Sequence, residues 1–175
     1  MRYLARRLTL APLAIIAVLA LIAVPAALAQ KPVVTVVVPQ PYSIPAGFGC
    51  SFEVAGDPHG TVVITDFGNG RTLKYVNAET TLTNVETGTS HVQRSNFLEA
   101  GSFDPAANVY HVVVVGRVIG FFYPGDQGPF GEVGENGAIF VFVGTTKYTY
   151  EADSGVLTSF SNKGTVTDLC AILAA

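Results

Sequence analysis

The chain has no tryptophan, one methionine, two cysteines and three histidines among 175 residues, and only 13% of it is charged. Each shortage weakens the case for a class of function. Without tryptophan, and with its tyrosines scattered, the exposed aromatic platforms on which sugars stack are poorly supplied. Tyr148 and Tyr150 share a strand face and come nearest to one, but cross-strand packing accounts for them equally well. His59, His91 and His111 are too dispersed for a metal motif, and two distant cysteines offer no zinc spacing. Neither Gly-x-Ser-x-Gly nor Ser-x-x-Lys occurs, so no base is visibly placed to activate a hydroxyl. Asp66-Phe67-Gly68 spells a kinase tripeptide, yet the glycine-rich phosphate loop and catalytic loop that give such an Asp its metal are missing; it reads as a strand end entering a turn. No catalytic, cofactor-binding or metal-ligating residue is assigned.

What is present begins with a leader. Arg2, Arg6 and Arg7 precede an uncharged run from Leu8 to Ala29, and Pro25 with Ala27-Leu28-Ala29 supplies the helix break and small residues that a signal peptidase requires. Residues 1–29 are therefore expected to be a signal helix cleaved after Ala29, making the protein secreted. The alternative is an uncleaved membrane anchor, since the run is 22 residues long and roughly 20 span a bilayer. Contact with the membrane is otherwise expected only through this segment before cleavage. Losing the leader leaves 146 residues with seven Lys plus Arg against 13 Asp plus Glu, a formal charge of −6. Such a chain lacks the basic footprint that phosphate backbones demand, so nucleic acid is not an expected partner.

The even cysteine count in an oxidising destination predicts a disulfide between Cys50 and Cys170. Residues 30–49, with four prolines around a valine-rich run, read as a leading tether or edge strand, because proline cannot donate to a ladder. Residues 50–175 are expected to form one secreted β domain.

Within that domain short β-branched or aromatic runs alternate with Gly, Asn and Asp clusters. They fall at Ser51–Val54, Thr61–Phe67, Arg71–Val76, Thr80–Val85, Ser90–Arg94, Val109–Phe122, Ala138–Val143, Lys147–Glu151 and Val156–Ser161. Asn69-Gly70 and Asp153-Ser154-Gly155 carry hairpin chemistry. Eight to nine antiparallel strands without helical periodicity predict an all-β barrel or sandwich. Val109–Phe122 exceeds a typical strand, and Gly116 or Gly120 is expected to bend it. The apolar runs Val112–Val115 and Ile139–Val143 are expected to line the interior. One short helix is expected over Thr167–Leu173, capped by Thr167 or Asp168.

Two polar segments raise the question of a site. Thr81–Ser95 reads as a hairpin with its turn in water at Glu86-Thr87-Gly88, leaving Ser90, His91 and Arg94 as solvent-facing strand residues. Pro124–Asn136 spaces four glycines every third residue among Asp126, Glu132 and Glu135; acidic oxygens there could hold calcium, but the spacing fits no calcium loop and suits a mobile connection. Glu132 and Glu135 are close in sequence, yet glycoside hydrolysis needs carboxyls facing each other across a cleft. His111 beside the valine run reads as a core-edge histidine.

Cys50-Ser51-Phe52, Thr81-Leu82-Thr83-Asn84 running into Glu86-Thr87-Gly88, Gly137-Ala138-Ile139-Phe140 and Asp168-Leu169-Cys170-Ala171 together resemble short exported β-domain proteins of high-GC Gram-positive bacteria. The resemblance spans most of the mature chain. It implies export, a paired cysteine and a β fold, and it brings no activity or cofactor with it. The functional expectation is a non-catalytic binding or cell-surface interaction module, its partner an unidentified surface or a small apolar ligand. The alternative is a small hydrolase or isomerase, or a ligand carrier, whose titratable groups meet only in three dimensions around an interior pocket.

Overall fold

Ten strands and one helix are built by residues 31–175, the part of the chain described by the computed structural model. The expected signal segment, residues 1–29, lies outside the described residues. The strands are β1 (Val33–Val37), β2 (Tyr42–Ile44), β3 (Val54–Asp66), β4 (Arg71–Asn84), β5 (Ser90–Asp104), β6 (Val109–Phe122), β7 (Gln127–Gly128), β8 (Gly131–Glu132), β9 (Ala138–Glu151) and β10 (Leu157–Asp168), followed by α1 (Leu169–Leu173). Eight strands form one antiparallel sheet in the order β1-β3-β4-β5-β6-β9-β10, with β2 also on β3, while β7 and β8 make a separate small hairpin.

The all-β expectation holds, with one large antiparallel sheet, but the barrel form of it does not: among the described residues β10 pairs only with β9, so the sheet stays open. The main strands are also longer than the apolar runs suggested, so that the nine runs map onto six strands, β3 to β6, β9 and β10. β4 runs unbroken through Asn77, Ala78 and Glu79, and β9 runs through Gly144, Thr145 and Thr146, where the sequence shows interruptions. β5 and β10 continue well past Arg94 and Ser161. The reason is that glycine and polar residues here sit inside paired ladders instead of ending them.

Gly116, Gly144 and Gly164 make this concrete. They lie side by side on β6, β9 and β10, all with positive φ, and a Cβ on any of them would collide with a carbonyl oxygen of the neighbouring strand, that of Asn96, Lys163 and Val143 respectively. Only glycine allows the strands to kink together at this row without breaking register. Gly116 is thus the expected bend, yet the pairing of β6 passes through it uninterrupted.

Beyond the kink the first half of β9 is covered on both faces. Ile139, Phe140, Val141 and Phe142 are all buried, and strand alternation divides them. Ile139 and Val141 join Val54, Leu82, Phe52, Cys50, Leu169 and Leu173 in one core cluster; Phe140 and Phe142 join Phe122 in another. Val54 and Leu82 belong to β3 and β4, three and more strands away along the ladder from β9, so the sheet curls back on itself to bring them together. Tyr42 of β2 also meets Phe121 of β6 edge-on, ring centroids 5.9 Å apart.

The curl is held by packing and by a covalent bond. Cys50, just before β3, is bonded to Cys170 in α1, just after β10, with Cα atoms 5.5 Å apart. The expected bridge therefore ties the two flanks of an open sheet, and bonds of this kind persist in oxidising environments. α1 matches its expected position. Asp168 caps it by accepting from the Ala171 N–H at 3.1 Å, and Leu169 and Leu173 are fully buried. Asn84 Nδ2 donates to the Leu173 carbonyl at 3.1 Å, fastening the end of β4 to the end of the helix.

The leading segment contributes β1 and β2, which share the outer edge of β3: β2 pairs with Val54 to Gly56 and β1 with Val62 to Asp66. Pro58 falls between them, where no strand on that edge requires an N–H.

Candidate functional site

The inner face of the curled sheet holds a cavity of about 500 Å³. Its wall follows from strand register. Residues directly paired across antiparallel strands share a face. Lys74 pairs with Glu99, Glu99 with Val114, Val114 with Thr146 and Thr146 with Asn162, so a single row crosses β4, β5, β6, β9 and β10. On one side of it lie Val76 and Phe97; on the other, Val112, Tyr148 and Phe160. A further row, Phe103, Tyr110, Tyr150 and Leu157, stacks its rings in sequence, with centroids 4.8 Å apart for Phe103 and Tyr110 and 5.1 Å for Tyr110 and Tyr150. Of these rows the cavity wall takes Lys74, Glu99, Thr146, Phe97, Tyr148 and Phe160 among others, which makes it an aromatic-rich bowl with a polar strip; Asn162 ends its row outside the wall.

At one end of that row Lys74 Nζ lies 2.9 Å from Glu99 Oε2, with the side chains 31% and 19% exposed. Lys74 Nζ also sits 5.7 Å from the centre of the Phe97 ring. Tyr148, two rungs along the same face, has Glu99 close enough for the carboxylate's charge to act on its phenol. Burial first, then the charge of Glu99 and the neighbouring Tyr150, raise the Tyr148 phenol well above its usual value. Tyr150 is raised too, by burial, Tyr110 and Glu99. Both are held as neutral hydroxyls against a carboxylate. At the other end, Thr146 donates to Asn162 Oδ1 at 2.9 Å, and Asn162 Nδ2 is buried without a protein partner.

The mouth is flanked by the glycine-rich loop. Asp126 is buried, and its carboxylate accepts from the Tyr123 N–H at 2.8 Å and the Leu157 N–H at 3.2 Å, pinning the loop to β10. These bonds make Asp126 a backbone clasp. Glu132 and Glu135 are exposed, and the expected mobile connection is instead pinned and folded as the β7–β8 hairpin, with Phe130 edge-on to Phe140 at 5.7 Å.

Other sequence candidates are dispersed. His59 is exposed beside Asp57, and His111 is exposed on the outer face, 3.2 Å from Thr149 Oγ1. Thr81–Ser95 forms a hairpin whose turn is organised by Asn84 Oδ1, which accepts from Glu86 N at 3.0 Å. Arg94 and Ser90 are exposed, but His91 is half-buried opposite Leu82, on the face that carries the buried Gln93. Tyr148 and Tyr150 line the cavity and form no surface platform. The valine run splits by alternation: Val112 and Val114 face inward, Val113 and Val115 outward. Among the described residues no three His, Cys, Asp or Glu side chains gather where a metal ion could be held. Lys74, Glu99 and Thr146 were missed because they stand on three different strands and only the ladder register aligns them. The signal that could have found Glu99 is its place two residues after Phe97 in an alternating strand, a charge at an inward position.

No protein-family model, curated protein or solved structure matches the chain.

Proposed function

We propose that the protein is a secreted, non-catalytic binding domain that takes up a small, predominantly apolar ligand in the bowl of its curled sheet. The observation that carries this reading is the cavity of about 500 Å³, walled by Phe97, Phe122, Phe142, Phe160, Tyr148 and Tyr150. Its volume suits a drug-sized molecule, and a mostly apolar, aromatic-rich wall with a few convergent polar groups is the usual make-up of such sites. Export is supported by the charged-then-apolar leader, by the Cys50–Cys170 bond, and by the resemblance to exported bacterial β-domain proteins.

A second reading, an isomerase or hydrolase, is favoured by one feature: Lys74, Glu99 and Tyr148 bring three titratable groups into mutual reach inside the cavity. The binding reading accounts for the same groups as a fixed polar contact for the ligand.

Mass spectrometry on protein exported by a bacterial host tests the proposal. The denatured chain is expected to begin at Gln30 and to gain two hydrogens on reduction. Under native conditions the mass is expected to exceed the denatured one by that of a bound molecule, and a hydrophobic dye is expected to compete with that molecule. A retained leader would refute secretion. Equal native and denatured masses, with no dye uptake by the bowl, would refute ligand binding.

A further inference from the structure

We propose that the protein forms a two-fold symmetric dimer in which the outer edge of β1 pairs, antiparallel, with β1 of a second copy of this chain. The inference is independent of the pocket and concerns a sheet edge that carries none of the usual protection.

β1 pairs with β3 on one side, and among the described residues no strand lies along the other. Alternate residues of an antiparallel strand direct their N–H and C=O groups to opposite neighbours, so half of those in Val33–Val37 face outward without a ladder. The side chains are bare as well: Val33, Val34 and Val36 are 64%, 61% and 64% exposed, and Val38 just beyond the strand is 68% exposed. No charge and no proline interrupts Val33 to Val38. Edge strands are normally guarded by charges, bulges or shortness. The opposite edge, β10, has such guards in Lys163, Asp168 and a register irregularity between Leu157 and Ser159. β2, on the same edge of β3 as β1, is only three residues long. β1 alone is left as an open template.

What fits the template is written in its own sequence. Val33-Val34-Thr35-Val36-Val37 reads the same in both directions. Antiparallel pairing about Thr35 therefore sets Val33 opposite Val37, Val34 opposite Val36 and Thr35 opposite its own counterpart, all β-branched pairs of the kind that stabilise a sheet. Prolines fix this register. Pro32 and Pro39 frame the segment, and sliding the copies by two residues either way carries one of them into the ladder, where it has no N–H to donate. A slip by one residue would set the inner face of one sheet beside the outer face of the other.

The centred register also joins two apolar surfaces. Val36 heads an outer-face row of paired residues, Val63, Tyr75, Leu98 and Val115, in which all but Val63 are exposed. Val34 of the second copy stands opposite Val36, so the rows meet across the axis and the bare valines gain neighbours. Because both copies use the same edge, the contact is isologous; only the guarded β10 edges remain at the ends, and pairing stops at two copies.

Sedimentation of the exported, oxidised protein at rising concentration tests this. A contact this short falls below the roughly 1,200 Å² of a stable interface, so the dissociation constant is expected on the order of tens of micromolar. Thr35→Lys places two like charges against each other at the axis and is expected to weaken dimerisation about tenfold or more, whereas Thr165→Lys on β10 is expected to leave it unchanged. Hydrogen exchange followed by NMR in the unaltered protein gives the same answer if a variant fails to fold. The outward amides of Val33–Val37 are expected to exchange freely in dilute solution and to become protected at high concentration, while those facing β3 are protected throughout. A monomer up to roughly 1 mM overturns the proposal. So does a dimer indifferent to Thr35→Lys or broken by Thr165→Lys, new protection that appears away from β1, or assembly beyond two copies. None of these outcomes bears on the pocket.

Discussion

Because the sheet has two edges that never pair with each other, the Cys50–Cys170 bond is the one covalent link holding its flanks together, and its removal is the sharpest test of the fold. The cysteines are 120 residues apart, so the bond removes a large loop-closure entropy from the unfolded chain, about 5 kcal/mol in the chain-entropy treatment. Native-state geometry gives little back, since Cys50 is 2% exposed and sits among Phe52, Val54, Leu82 and Leu169. A domain this size exposes enough surface for a urea slope of about 2 kcal/mol per molar. Reduction should therefore lower the urea midpoint by about 2.5 M and the melting temperature by about 15 °C. Equilibrium urea titrations by circular dichroism, oxidised against reduced, measure this directly. Hydrogen exchange should show protection lost first in α1 and β10, the elements anchored by Cys170. A midpoint shift below about 0.5 M would refute the reasoning, because it would mean that packing alone closes the curl.

Three further outcomes are expected. Leu82→Ala should destabilise the protein by about 2 to 5 kcal/mol in denaturant titrations, since Leu82 is fully buried where β4 meets α1 and truncation leaves a cavity. Gly144→Ala should cost about 1 to 3 kcal/mol or more by thermal melting, because it places a Cβ against the Lys163 carbonyl at positive φ, whereas Gly134→Ala, with open space around it, should change stability by less than about 0.5 kcal/mol. Alkali should unfold the protein cooperatively: burial raises the Tyr42 phenol to about 12 and raises that of Tyr148 as well, so the folded state holds protons that the unfolded chain gives up near pH 10. Their contribution to stability is complete below pH 10 and is lost as pH rises through the folded values. Absorbance at 295 nm should then show these two tyrosinates appearing only with unfolding, and normal titration near pH 10 in the folded state would contradict their burial.

The sequence by itself determined the strand class, the pairing of Cys50 with Cys170, the hairpin at Thr81–Ser95 and the short capped helix at Asp168. These are local or countable properties: a turn residue's φ preference, a cap, the parity of two thiols. It misjudged strand length, because Gly144 and Gly164 look like terminators when read along one chain and become a shared kink only when they lie beside Gly116 on adjacent strands. It could not decide whether the sheet closes, since that depends on twist and curl accumulated over many strands rather than on any one residue. Tertiary structure alone brought Lys74, Glu99, Thr146 and Asn162 into one row, across gaps of 25, 47 and 16 positions in the sequence. Side chains align there through ladder register, which no periodicity within a single strand encodes, and so the pocket is a property of the pairing.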